Sequence, residues 1–148
     1  MKYPPVLQVI IAAAIAWGLA RNIPLFGIGG SFTTFIIWGS AVLGFGLLAY
    51  ALKLFRFHKT TFDPLEPTKA KNLVVSGIYN YTRNPMYLGL ALLLKAWCLY
   101  LGDVIAFVSL PLFVIAMNTL QIKAEERALL ENFGDKYLAY KRRVRRWI

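Results

Sequence analysis

Two short stretches of this chain hold most of the side chains that could do chemistry. The first is Leu73-Val74-Val75-Ser76-Gly77-Ile78-Tyr79-Asn80-Tyr81-Thr82-Arg83-Asn84-Pro85-Met86-Tyr87. It is dense in polar donors, aromatic rings and turn residues. Pro85 biases Asn84 away from helical angles and can open a helix, where its missing N–H does no harm. A helix start presents N–H groups that suit an anion, and Arg83 adds a planar fork for a carboxylate or phosphate. The same composition also describes an interfacial belt, because Tyr and Arg collect at lipid headgroup level. The second stretch is Glu125-Glu126. A carboxylate there can hold an ammonium or ribose hydroxyls, or simply pair along a surface helix with Lys123 and Arg127.

Other reactive types are sparse. Lys95 stands midway in an apolar run, where an ionisable residue suggests a function. Its long stem also lets the amine lift toward Asp103. His58 is the single histidine and Cys98 the single cysteine. A lone loop histidine suits solvent, and a cysteine in an apolar run suits packing. No His or Cys pair has metal-ligand spacing, so no metal site is expected. No Walker or Rossmann glycine pattern occurs.

These residues need elements to hold them. The chain has 148 residues, 58% of them hydrophobic and 16% charged, with mean hydropathy +0.54 and net charge +10. Soluble domains sit nearer about 45–50% apolar and about 25% charged. Disorder is excluded by the hydrophobicity, and a disulfide scaffold by the single cysteine. Four segments are nearly free of charge: Pro4–Ala20, Phe32–Leu52, Met86–Gly102 (with Lys95 alone) and Val104–Ile122. A bilayer core takes about 17–25 helical residues, so about four transmembrane helices are expected. Pro4 and Pro5 suit a helix start, and Pro24, Gly27, Gly29 and Gly30 a tight turn. Gly39, Ser40, Gly44 and Gly46 supply small residues for close helix packing in lipid.

Fifteen of the seventeen basic residues then fall on one membrane face; Arg21 lies on the other, and Lys95 within the membrane. The positive-inside rule places both termini in the cytoplasm. The Phe55–Pro85 loop and the tail from Lys123 remain on that face. The tail is expected as an amphipathic helix with Ile122, Leu129, Leu130 and Phe133 on one side, stopped at Gly134. A shorter stretch carrying Tyr137, Tyr140, Val144 and Trp147 follows. The basic run at 141–146 could meet nucleic acid, but beside a membrane helix anionic lipid headgroups are the better partner. No nucleic acid is expected. The fold class is an all-α integral membrane protein of about four transmembrane helices, with a cytoplasmic loop and a C-terminal amphipathic helix. It is read as one domain over 1–148, with an N-terminal helical hairpin at 1–54 and a core at 55–148.

The order Leu73-Val74-x-x-Gly77-x-Tyr79-x-x-x-Arg83-Asn84-Pro85-x-Tyr87, then Glu125-Glu126-x-x-Leu129-x-x-x-Phe133-Gly134-x-x-Tyr137-x-x-Tyr140, resembles the isoprenylcysteine carboxyl methyltransferases and their phospholipid methyltransferase relatives. The likeness covers roughly residues 60–148. It implies an integral membrane enzyme that uses S-adenosylmethionine without a Rossmann domain, with a cofactor pocket formed by the cytoplasmic loop, the start of the third helix and the C-terminal amphipathic helix. It implies a lipophilic methyl acceptor, prenylcysteine-like or another lipid, drawn from the bilayer. By position, Lys71, Asn72, Leu73 and Val74 would line the adenosine side, and Tyr79 would lie against the cofactor. Asn84, Pro85, Met86 and Tyr87 would cradle it, and Glu125 would hold a polar part of it. Arg83 would be the catalytic or organising residue, with Gln121 and Glu126 on the substrate side. Three positions depart from the family pattern. Asn84 stands where a histidine is frequent. Gln121 stands where the eukaryotic enzymes carry an arginine associated with the substrate carboxylate. Arg145 replaces a proline. A neutral amide is a poorer partner for a carboxylate.

Two rival readings use the same helices. A small four-helix transporter fits the length, although proton-coupled carriers need an intramembrane carboxylate. A non-catalytic anchor would use the basic tail alone.

Overall fold

The computed structural model of the chain describes residues 4–57 and 72–148. Helix α1 (Pro5–Asn22) begins on Pro5, whose ring presets the helical angle at a position that needs no N–H donor. Helix α2 (Ser31–Phe57) is 27 residues long. It runs past the expected boundary at Leu52 through Lys53 and Arg56, because long basic side chains favour helix and can lift their charges to the interface. Helix α3 (Pro85–Leu101) starts at Pro85 as the sequence predicts. Asp103 then caps a 3-10 turn (Val104–Val108), its Oδ1 accepting the Ile105 N–H at 2.9 Å.

The next stretch differs from expectation. The sequence places a boundary at Ile122 between a fourth membrane helix and a separate tail helix. The structure shows one helical rod from Val104 to Phe133. Within it lie α4 (Ser109–Ala116), a π-helical stretch (Met117–Ile122) and α5 (Lys123–Phe133). No glycine or proline falls between Pro111 and Gly134 to stop it. The π turn absorbs the change from an apolar to an amphipathic face; such turns are common at functional sites. Helix α6 (Asp135–Arg143) follows after Gly134. No strand occurs among the described residues, only two isolated bridges.

Helix α3 is the centre. Helices α1 and α2 each pack against it more than against each other, and α4 packs on α1. The connection between α1 and α2 crosses the carboxyl end of α3, where Ile28 N donates to Gly102 O at 2.7 Å and Val104 N to Phe26 O at 2.9 Å. Asp103 accepts the Leu25 N–H at 3.0 Å as well. These backbone donors occupy the carboxylate toward which Lys95 was expected to lift. Lys95 itself is half-buried on α3. Cys98 is buried, with Sγ 3.3 Å from Ala106 O and 3.4 Å from Ser109 Oγ, so it serves packing.

The outward faces are apolar. Phe32, Phe35, Trp38, Val42 and Phe45 on α2 are all exposed, which in water would be a liability and in lipid is the ordinary solvent contact. Helices α1 and α2 and the Val104–Phe133 rod are long and apolar enough to cross a membrane; α3 is a shorter apolar helix.

Helices α2 and α3 meet at two glycines. A Cβ built on Gly44 would stand 2.9 Å from Gly89 O, and one on Gly89 would stand 2.8 Å from Gly44 O. Gly39 and Gly46, from the same expected small-residue stripe, face open space. Overpacking of this kind costs about 1–3 kcal/mol, while removing a glycine from a helix returns at most about 1 kcal/mol. Gly44→Ala and Gly89→Ala should therefore lower the melting temperature in detergent, and Gly46→Ala should hold or raise it. Identical melting of all three variants would contradict the close α2–α3 approach.

Candidate active site

The polar residues collect at the end of the bundle opposite Asp103. There the carboxyl end of α2, the 72–84 segment, the amino end of α3, α5, α6 and the C-terminal tail converge. Gly77 opens a short 3-10 turn (Gly77–Asn80) with φ +60, a conformation most L residues avoid. A Cβ there would also sit 2.8 Å from the Tyr50 hydroxyl. This turn aims Tyr79 inward, where its ring meets Phe55 edge-on, with centroids 5.5 Å apart. Tyr140 donates its hydroxyl to Tyr79 O at 2.8 Å. Val74, Tyr79, Tyr137, Tyr140 and Val144 form one buried cluster, with Leu73 packed against it. Burial holds the Tyr79 and Tyr140 phenols well above their ordinary pKa, so both stay neutral. Beside them a cleft of about 300 Å³ is lined by Leu73, Val75, Lys136, Ala139, Tyr140 and Arg143.

Glu125 and Glu126 are neighbours in sequence, but successive helical residues point about 100° apart. They enter two separate networks. Glu125 is 7% exposed. Its Oε1 accepts the Tyr87 hydroxyl from α3, and Gln121 Nε2 at 2.7 Å from one turn earlier. Glu126 instead gathers cations. Arg83 Nη1 lies 3.0 Å from its Oε1 and Lys141 Nζ 3.6 Å from its Oε2. Arg146 grips both oxygens, Nε to Oε1 at 3.0 Å and Nη2 to Oε2 at 2.8 Å. The partners come from distant segments rather than from Lys123 or Arg127 on its own helix. Arg83 also donates to the Tyr137 hydroxyl at 3.2 Å, while its buried Nε has no hydrogen-bond partner.

The tail completes the cluster. Arg83 N donates to Arg145 O at 3.0 Å, and Thr82 pairs with Arg145 in a single bridge. Asn84 spends its side-chain amide on Arg146 O at 2.9 Å. Trp147 Nε1 reaches Asn118 Oδ1, on the π-helical stretch, at 3.1 Å.

The residues singled out from sequence therefore fall into three groups. Tyr87, Glu125 and Gln121 form one network, and Arg83 and Glu126 another. Leu73, Val74 and Tyr79 belong to the aromatic cluster. Pro85 is buried, Met86 touches both hydrophobic clusters, and Asn72 is exposed. Lys71 and His58 lie outside the described residues. Sequence reasoning missed Arg146, Trp147 and Asn118 as parts of the site. Arg146 was hidden within a uniform basic run, although it is half-buried while Arg142, Arg143 and Arg145 are exposed.

The phospholipid methyltransferase family profile matches residues 32–136. An uncharacterized Haemophilus influenzae protein is 46% identical over 63 residues, 43% of this chain and all of that protein. A Schizosaccharomyces pombe protein-S-isoprenylcysteine O-methyltransferase is 32% identical over 72 residues, 49% of this chain and 30% of the yeast protein. No solved structure matches significantly.

Removing one partner of a buried ion pair costs about 3–5 kcal/mol when the remaining charge stays unpaired. Glu126→Gln strands Arg83 with Arg146 and should fall near the lower end of that range, since Arg146 and Lys141 reach solvent. Arg146→Ala leaves Glu126 with two cations and should cost less. Chemical unfolding in micelles checks the order. The ranking fails if Arg146→Ala is the more damaging change.

Proposed function

The chain belongs to the phospholipid methyltransferase family, and on that premise we propose that it moves a methyl group from S-adenosylmethionine to a lipophilic acceptor at the face carrying the basic tail. Membership makes it a membrane methyltransferase. The donor, the acceptor and the sidedness are the proposal. The observation that carries it is the pair of networks on Glu125 and Glu126 beside an aromatic wall.

The donor set suits a zwitterionic nucleoside. Arg83 Nε is a buried donor without a partner, ready for a carboxylate. Glu125 is a buried carboxylate suited to an ammonium or ribose hydroxyls. Tyr79, Phe55, Leu73 and Val74 give an aromatic and apolar surface for a base. When bound, S-adenosylmethionine supplies an activated methyl: the acceptor's lone pair bonds the carbon as the C–S bond breaks, and that electron pair returns to sulfur.

The protein's work is then positioning and exclusion of water. Glu126 fixes Arg83 between Tyr137 and Arg146. Tyr87 and Gln121 hold Glu125 in place. The tail, bonded across residues 82–84, covers the cluster from one side. An anionic acceptor needs no base, and a protonated amine would have to lose its proton first. The face is cytoplasmic in this reading, because it carries the basic surplus. The exposed Lys136, Arg142, Arg143 and Arg145 would meet anionic headgroups, each worth about 1 kcal/mol near such a surface.

Calorimetric titration of the purified protein with S-adenosylmethionine tests the donor. Arg83→Ala and Glu125→Ala each remove a charge-assisted contact and should weaken affinity about 10- to 100-fold. Unchanged affinity in both would sink the assigned site. Labelled S-adenosylmethionine added to membranes should place its methyl in the lipid extract, and label found solely in water-soluble products would exclude a lipophilic acceptor.

A further inference from the structure

One polar side chain on α1 is not used by any network described above. Gln8 is 8% exposed, and neither its Oε1 nor its Nε2 has a hydrogen-bond partner. A buried amide with both ends unpaired is unfavourable in any protein, and more so where no water replaces the lost bonds. It shares the buried face of α1 with Pro5, Ala12 and Ala16. Ala12 and Ala16 pack into the cluster that contains Tyr87, Leu90, Met117 and Ile122. Helix α1 also touches the π-helical stretch that carries Gln121.

The depth of Gln8 follows from one contact. Trp97 Nε1 donates to Ala13 O at 3.1 Å, which sets α1 against α3. Both helices run the same way, since the carboxyl ends of both meet at the Leu25–Asp103 contacts. At about 1.5 Å per residue, Gln8 lies about 7.5 Å and Tyr87 about 15 Å from that level toward the site. Gln8 is therefore about a turn and a half deeper in the membrane than the start of the Tyr87–Glu125 network.

We propose that Gln8 binds the methyl acceptor, hydrogen-bonding a carbonyl or hydroxyl oxygen in the linker between its reacting head and its apolar chain. This deepens the methyltransferase reading and rests on it. With the reacting head at the Tyr87–Glu125 level, the chain extends into the bilayer and its linker passes the depth of Gln8. A carbonyl there accepts from Nε2, and a hydroxyl can donate to Oε1 as well. The remainder of the α1 buried face is proline and alanine, so Gln8 alone on that face can select for polarity at this depth. The small neighbours leave the selection to hydrogen bonding rather than bulk.

The test uses the full chain and Gln8→Leu, which keeps the volume and removes both hydrogen-bonding ends. Three quantities are read: melting of the delipidated protein, affinity for S-adenosylmethionine, and KM with kcat for labelled methyl transfer into vesicles of total lipid extract. The expected variant melts no lower than the wild type, because an unpaired amide has been removed. It binds S-adenosylmethionine within about twofold, while acceptor KM rises about five- to tenfold, the value of one or two lost hydrogen bonds. Melting several degrees lower overturns the proposal, since the amide then serves the fold. Acceptor KM and kcat within twofold of wild type overturn it as well, and an ordered water at Gln8 predicts that result. A wild-type protein that binds no S-adenosylmethionine overturns the proposed donor, one that labels no lipid overturns the lipophilic acceptor, and either overturns this proposal with it. Cofactor affinity read on the wild type keeps those failures distinct.

Discussion

The site depends on one buried carboxylate. Glu126 draws Arg83 from the segment before α3, Lys141 from α6 and Arg146 from the tail to a single point. Three cations around one anion leave excess positive charge at this end of the bundle. Without Glu126 the same cations would repel one another. The tail would then be held across residues 82–84 by its hydrogen bonds alone, and α6 by the Tyr140–Tyr79 bond without the Lys141–Glu126 pair.

A second constraint comes from the membrane. Lipid gives no hydrophobic drive between helices, so α2 and α3 rely on close backbone contact at Gly44 and Gly89. That contact fixes the height of α3, and with it Pro85, Met86 and Tyr87 at its amino end. The Asp103 end is closed by backbone hydrogen bonds. The polar groups are gathered at the other end, where the π turn, the aromatic cluster and the tail meet. The closely packed half of the bundle sets the register of the polar half.

The continuous rod from Val104 to Phe133 joins the two halves mechanically. Its first turns bury Ala106, Ser109 and Phe113 against the bundle and expose Val104, Val108 and Leu112, and its last turns carry Glu125 and Glu126. The extra residue per turn in the π stretch rotates the following helix relative to a plain α-helix. That rotation lets Gln121 and Glu125 face Tyr87 while Glu126 faces Arg83. A straight α-helix of the same sequence would present these groups at different angles to α3.

Much of this was determined by the sequence alone. Charge-free runs of membrane length specify apolar helices because lipid tolerates little else, and Pro85 sets the start of α3 through its fixed ring. The residue types at Arg83, Glu125 and Glu126 already implied a polar site. Tertiary structure decided what a linear pattern does not carry. Adjacent glutamates entered different networks because a helix turns by about 100° per residue. Arg146 separated from its basic neighbours because chain reversal at the tail buries one side of the run and leaves the other in solvent. Gln8 became visible as an unpaired amide only once its packing partners were known, since a glutamine's cost depends on what surrounds it. Hydrophobic periodicity sets which elements form, and only their assembly sets which polar atoms are left to find a partner.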